Sequence, residues 1–587
     1  MNFFKQVLAT VTGVFITGFI LMFVFFVFIG VLLSSSSDDS SLPASPNSVL
    51  YLSFDFDIVE KSESNPFGGL DLPMGYGNKS IGLNDILARI KAAKEDDNIK
   101  GIYLNPSTVG TGFASLKAIR DALVDFKESK KFIVSYSDGY SQKGYYLAST
   151  ADKIYINPQG SLDFRGLSSN IMFMKGAFDK LGVDMQVIKV GTYKSAVEPY
   201  ILNEMSEPNR EQVTSYLNSI YNSFLTDLSQ SRKIEKDSLI RFADDYVVRN
   251  ADDALKFKFV DAKLYKDELI SEMKKRLSVS EKEDISVLSI LKYKGSNAEQ
   301  KGDEEVAVLY AYGTIVDGEG AEGEIGGDKL SRELRRLREN EKVKAVVLRV
   351  NSGGGSALAS DIIWREVELT KKVKPIVVSM GDYAASGGYY IAAAADSIFA
   401  EANTLTGSIG VFGLIPNAKA LLNDKLGIKY EEVKTGKFAN LMGSMDKPLT
   451  AEERAIIQSE VNNVYETFKE RVAQGRNMSV ANVDSIGQGR VWTGEQALNI
   501  GLVDKIGNLG NAVSAAASKG KLKSYYIKEY PVKEDAITAF LSSSKEKVKM
   551  WLIADELGDY NKYLKEIKNI AKNTGIQARL PYTVEIY

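Results

Sequence analysis

The sequence predicts an α/β protein: two copies of one strand–helix unit behind a single N-terminal membrane-spanning helix. Three observations predict this. Segments recur 244 residues apart. Short β-branched apolar runs alternate with helical stretches in each copy. No charged residue occurs between Lys5 and Asp38. The chain has 587 residues, 44% of them hydrophobic and 25% charged, which is ordinary globular usage and excludes a disordered or fibrous protein. At roughly 100–200 residues per domain it holds several folding units, each able to bury a core.

Val11–Leu33 is rich in Phe, Val, Ile and Leu. As a helix it spans about 35 Å, enough for a hydrocarbon core of roughly 30 Å. The apolar region of a secretory signal is shorter, about 7–15 residues, and no clear small-residue cleavage motif follows, so an uncleaved anchor is expected. Lys5 precedes the span and Asp38 and Asp39 follow it, which favours the N-terminus inside and the body outside the cytoplasm. The anchor and its Ser/Pro-rich tether occupy residues 1–46.

The body is read as a duplication. The run KGIYLNPS from Lys100 matches KAVVLRVNS from Lys344. Gly144-Tyr145-Tyr146 matches Gly388-Tyr389-Tyr390, and Ala151-Asp152 matches Ala395-Asp396. The DKLG at Asp179 matches that at Asp424, and Val260-Asp261 matches Val503-Asp504. The copies are placed at 47–295 and 296–525. Ile102–Leu104, Phe132–Ser135, Val346–Val350 and Ile376–Ser379 read as buried parallel strands. Leu116–Lys130, Ser356–Lys372, Ala451–Gln474 and Thr493–Gly501 read as helices, the last two with good N-terminal signals at Thr450 and Thr493. Residues 526–587 form a charged tail with no repeat partner: a helix over Lys545–Lys572 and a last strand that docks on a neighbour.

Two zeros bound the chemistry, for the chain has no Cys and no His. Disulfides, thiolate nucleophiles, zinc–thiolate sites and Ser-His-Asp triads are excluded. A net charge of −3 gives no basic excess for nucleic acid. If the protein is a hydrolase, its base is Lys, Asp, Glu or Tyr. Two Gly-rich turns follow strands of the second copy: Asn351–Ser356 and Gly381–Gly388. Such turns suit a phosphate, an oxyanion or a merely tight bend, and spacing alone does not choose. Ser386, between two alanines and two glycines, is a candidate nucleophile, with a helix-capping serine as the bland alternative. Its base would be a lysine whose ammonium is desolvated. Alignment of the copies sets Lys194 against Ala439 and Ser386 against Gln142. One copy keeps a lysine and the other a serine with its glycine loop, a pattern of one composite site. Lys437, in the serine's own copy, is the competing base.

Five ordered motifs resemble a known family: GTYKSAVEPY at 191–200, RVNSGGGSA at 349–357, SMGDYAASGGYYIA at 379–392, LTGSIGVFG at 405–413 and GRVWTGEQALNIGLVD at 489–504. The chain is similar to the signal peptide peptidase A family in its long tandem form, also called protease IV. The resemblance implies a caseinolytic-protease/crotonase-like spiral of ββα units in each of two homologous domains. It implies a membrane-anchored serine protease with a Ser/Lys dyad that degrades signal peptides and similar apolar peptides, working as a homotetramer without cofactor, metal or nucleic acid. It places the protein in the bacterial inner membrane with its catalytic body on the extracytoplasmic side. By position, Ser386 matches the nucleophile, Lys194 the general base, Gly355 and Gly387 the oxyanion hole, and Ser408 the residue that orients the lysine. Gly353 departs from the proline many relatives carry there. A crotonase-type acyl-CoA hydratase or isomerase, and an inactive peptide-binding scaffold, are the alternative readings.

Overall fold

The computed structural model describes residues 2–36, 42–62, 80–293, 295, 302–441, 445–532, 575–580 and 586. Helix α1 (Asn2–Ser36) contains the apolar run, and within it Lys5–Val24 is long and apolar enough to cross a membrane. The first copy follows as β1 (Ser48–Ser53), β2 (Ile99–Asn105), α2 (Phe113–Lys127), β3 (Phe132–Tyr140), α3 (Gln142–Ala148) and β4 (Lys153–Leu162). It continues through β5 (Asp184–Val190), α4 (Glu207–Arg232), β6 (Ala262–Lys263) and β7 (Val287–Ser289). Its sheet runs β6-β4-β3-β2-β1-β7, and every pair in it is parallel.

The second copy begins with β8 (Glu304–Tyr312), β9 (Thr314–Val316), β10 (Glu324–Gly326), β11 (Val343–Ser352), β12 (Gly354–Ser356) and α5 (Ala357–Lys371). Next come β13 (Ile376–Ala385), α6 (Gly387–Ala392), β14 (Ser397–Ala400), β15 (Leu405–Gly407) and β16 (Val411–Asn417). The last elements are α7 (Ala451–Arg476), β17 (Val491–Thr493), β18 (Tyr525–Tyr530) and, from the tail, β19 (Gly575–Arg579). The main path of its sheet is β17-β15-β13-β11-β8-β18. Crossovers cover both faces, so β11 and β13 are buried almost throughout and read as continuous apolar runs. On one face Val346, Leu348, Ile363, Tyr389 and Phe468 pack together; on the other, Val308, Val347 and Val377 pack under Leu509 and Val513.

The expected strands all lie inside β2, β3, β11 and β13. The helix expected at Leu116 starts three residues earlier, because Gly112 lets the chain turn into it; it stops at Lys127, and Lys130 takes φ +63°. Thr450 and Thr493 each accept the backbone N–H three residues on, as their signals predict. From the tail, β19 pairs antiparallel with both β12 and β16 of its own chain. The expected helix over Lys545–Lys572 lies outside the described residues.

Matched positions of the duplication do matched structural work. Tyr145 and Tyr389 are buried and donate to Phe259 O and Leu502 O, each at 2.8 Å. Asp152 and Asp396 accept the N–H groups of Ile133 (2.8 Å) and Ile376 (2.9 Å). Asp261 and Asp504 do the same for Ile154 and Ile398 at 2.8 and 2.7 Å. These residues recur because the fold needs buried donors satisfied, not because chemistry does.

Three contacts lock the copies together. Asp382 accepts from Ala114 N, Ser115 N and Ser115 Oγ at 3.0, 3.0 and 2.7 Å, capping α2 from the other copy. Glu60 meets Arg349 Nε at 2.9 Å, with side chains 7% and 3% exposed, and accepts Asn351 Nδ2 at 2.7 Å. The third is a strand pairing: β5 of the first copy runs antiparallel to β16 of the second, from Asp184 opposite Asn417 to Val190 opposite Val411. Glu60→Ala leaves the Arg349 guanidinium buried and unpaired, a loss of about 3–5 kcal/mol. The expected result is a lower midpoint of urea unfolding; an unchanged midpoint refutes a structural role for this pair.

Candidate active site

The β5–β16 pairing explains how residues 192 apart in sequence meet. Val190 ends β5 opposite Val411, the first residue of β16, so the chain leaving β5 at Gly191 turns beside Ser408–Gly410. Gly191 takes φ +108°, and a Cβ there would strike Gln488 at 2.6 Å. Gly489, at φ +79°, lies so close that its Cβ would stand 2.6 Å from Lys194 N. Tyr193 N donates to Gln488 O at 2.8 Å. Glycine backbone from the second copy thus wraps the lysine-bearing turn of the first.

Ser386 sits where β13 hands over to α6. Its φ is +55°, a conformation a non-glycine residue holds only when its surroundings impose it. Ser386 N donates to Gly407 O at 2.8 Å, and Ser386 O accepts Tyr390 N at 2.8 Å, so its backbone starts the helix. The side chain makes no capping bond, which removes the capping-serine reading and leaves Oγ free for Lys194.

Lys194 Nζ lies 2.8 Å from Ser386 Oγ, 3.1 Å from Ser408 O and 3.1 Å from Ser408 Oγ. All three residues are fully buried. Burial pushes the Lys194 amine well below the usual lysine range, and among the described residues no carboxylate opposes that shift. A neutral amine has two N–H donors and one lone pair. Those match the Ser408 carbonyl, the Ser408 hydroxyl and the O–H of Ser386, respectively. Ser408 itself takes φ +50°, fixed by a 2.7 Å bond from its N–H to Arg490 O.

The glycine loop closes the other side of the nucleophile. Gly354, at φ +94°, and Gly387 meet backbone to backbone: a Cβ on Gly354 would lie 2.6 Å from Gly387 N. Gly355 is one residue further along β12, paired with Ile315 of β9 and with Ala578 of β19. The Ala578 carbonyl points into the gap, 3.0 Å from where a Gly387 Cβ would be and 2.1 Å from that of Gly354. Gly353 O accepts Leu580 N at 2.6 Å, so the loop is held without a proline.

Lys437 is elsewhere. Its side chain is 65% exposed and paired with Glu452. The first copy's counterpart of Ser386 is also occupied structurally: Gln142 accepts from Arg165 N and Gly166 N at 3.0 and 3.1 Å and donates to Gly166 O at 2.9 Å. The structure therefore brings together Ser386, Lys194, Ser408, Gly387 and the 353–355 loop, and leaves Lys437 out. Sequence reading missed Gln212 and Arg490, which pack around the lysine turn; the only signal was the motif that opens at Gly489.

Comparison with known proteins gives the class. Protease 4 of Haemophilus influenzae is 38% identical over 461 residues, 75% of this chain and 73% of that protein. Protease 4 of Salmonella typhi is 35% identical over 549 residues, covering 91% and 88%. The serine protease SPPA, chloroplastic, of Arabidopsis thaliana is 33% identical over 455 residues, covering 76% and 67%. A duplicated α/β chain with this relationship along its length is a protease. Peptidase family S49 matches it twice, at residues 125–280 and 368–523, one match in each copy. The chain belongs to peptidase family S49.

Proposed function

We propose that the chain is a membrane-anchored serine endopeptidase in which Ser386 is the nucleophile and Lys194 the general base. One observation carries this reading: two fully buried side chains from different copies meet at 2.8 Å, with no carboxylate among the described residues to keep the lysine charged. Neutral Lys194 takes the Ser386 proton as Oγ attacks the peptide carbonyl carbon. Backbone N–H groups of Gly355 and Gly387 receive the oxyanion, each such donor being worth about 3–4 kcal/mol in rate. Ser408 holds the amine in line. The lysine then gives its proton to the leaving amine, and water, deprotonated by the same lysine, hydrolyses the acyl-enzyme. The reading needs no cofactor.

Substrates are cleaved signal peptides and similar apolar peptides, bound as an extended strand between β12 and β16. Strand β19 gives the measure of that gap, with its Ala578 buried and its carbonyl against Gly354 and Gly387. A substrate enters as β19 leaves. Helix α1 anchors the chain in the inner membrane with the catalytic body on the extracytoplasmic side, where released signal peptides lie, and four chains assemble together.

The test is hydrolysis of a fluorogenic peptide with an apolar residue before the scissile bond, in detergent, by wild type and Ser386→Ala. Turnover in the first and its loss in the second is expected. Equal rates in both overturn the assignment of the nucleophile, and an intact tetramer inert toward peptides overturns the activity.

A further inference from the structure

Against the turn that carries Lys194 lies a buried polar network to which nothing above gives a function. Its centre is Gln212 on α4, 1% exposed. Its Nε2 lies 3.0 Å from Tyr193 O and 2.8 Å from Ser195 Oγ, the residues on either side of Lys194, and 3.1 Å from Asn209 Oδ1. Its Oε1 accepts Val491 N, in β17 of the second copy, at 3.1 Å. One side chain thus grips the lysine turn from both ends and ties it to the copy that carries the serine.

The residue type matters. The position donates to Tyr193 O and accepts from Val491 N, which an uncharged amide of this length does and a carboxylate or a cation does not. Glutamate has no donor, while lysine and arginine have no acceptor. An amide also brings no charge. Glu198, 2% exposed, is one step further back and is occupied by Ser206 N, Ser206 Oγ and Asn209 Nδ2. Asn209 and Gln212 stand between that carboxylate and the turn. The other charged groups on packed elements are engaged as well. Glu211 pairs with Arg490, whose guanidinium lies over the Tyr193 ring, and Asp484 pairs with Lys469. Burial alone lowers the Lys194 pKa, as a wall of neutral amides permits.

We propose that Gln212 is a positioning residue for the general base: it fixes the Tyr193–Ser195 turn against β17 through a neutral amide, delivering Lys194 to Ser386 without bringing a carboxylate to the lysine. The proposal rests on Lys194 being the base.

The test compares Gln212→Glu and Gln212→Met with wild type in the full-length tetramer, using the apolar fluorogenic peptide across pH. Gln212→Glu removes the donor and adds a negative charge beside the turn, which favours the ammonium form. Its kcat falls by about tenfold or more at neutral pH, within the range a misplaced base costs. The acidic limb of its kcat/KM moves to higher pH by about half a unit or more, and activity partly returns in alkali. Gln212→Met loses kcat at an unchanged KM, with the limb where wild type has it. Wild-type kcat and limb in Gln212→Glu overturn the proposal, as does a loss that only tracks the folded fraction while the limb stays put. Should Gln212→Glu not accumulate folded, Gln212→Met decides alone: reduced kcat at wild-type melting temperature supports the proposal, and wild-type kcat overturns it. An inert Lys194→Ala beside unaffected Gln212 variants defeats this inference only; an active Lys194→Ala defeats the dyad as well.

Discussion

Lys194→Ala abolishes peptide hydrolysis, with kcat down on the order of 10⁴-fold or more, while Lys437→Ala stays within about twofold of wild type. The contrast follows from where the two amines lie. Lys194 Nζ is buried 2.8 Å from the serine oxygen, and no histidine exists in the chain to replace it. Lys437 is a surface ammonium held by Glu452, and an exposed pair of that kind contributes about 0–1 kcal/mol to stability. The measurement is kcat for the three proteins at one pH, with melting curves showing that each is folded. A dead Lys437→Ala beside an active Lys194→Ala refutes the composite site and makes the second copy self-sufficient. Under the proposed dyad each copy expressed alone is expected to be inert, since one holds only the proposed base and the other only the proposed nucleophile.

The second large effect joins activity to stability. Burial holds the Lys194 pKa well below that of a free lysine. Activity is therefore lost as pH falls through the folded-state value, because a protonated amine cannot accept the Ser386 proton. Stability has the opposite cost. Between the folded value and the unfolded value, about 10.4, the unfolded chain binds one more proton than the folded chain. Unfolding free energy then rises with pH across that window, and at a pH inside it the buried neutral lysine destabilises the fold by about 1.4 kcal/mol for each unit that the pH lies below the unfolded value. Lys194→Met, neutral at every pH, is expected to unfold at higher urea than wild type at neutral pH, with the gap narrowing as pH approaches that of free lysine. A gap between variant and wild type that is no wider at neutral pH than in alkali shows that the amine is charged in the folded protein. The catalytic group is then one the fold holds at a loss.

Much of this was legible in the sequence because duplication made it so. Ser386 stood out by its setting between two alanines and two glycines, setting the copies against each other pointed to Lys194 with Lys437 as its rival, and the family resemblance favoured Lys194. The buried strands were legible because helices cover both faces of the sheet, leaving unbroken runs such as Val346–Val350. What was hidden is what depends on distant chain segments meeting. Gln212 is one glutamine in a helix until Tyr193, Ser195 and Val491 converge on it. Glu60 looks like a surface acid until Arg349 arrives from the other copy. The place of β19 depends on a free strand edge at β12 and β16, and no local pattern reports where such an edge is vacant. The three-residue error at the start of α2 came from following apolar spacing alone, whereas Gly112 and the Asp382 carboxylate fix that terminus.

The division of the site between copies also sets a clock. A ribosome that has made Lys194 must add 192 more residues before Ser386 exists. At about 5–20 residues per second that takes roughly 10–40 s, during which the first copy, with the lysine, is free to fold. Under the proposed dyad, a nascent chain short of Ser386 lacks the nucleophile and is expected to cut no peptide bond. On that reading, a translation product that stops early in the second copy is a spent fragment rather than an uncontrolled protease, and hydrolytic power arrives only once both halves have been made and have closed on each other.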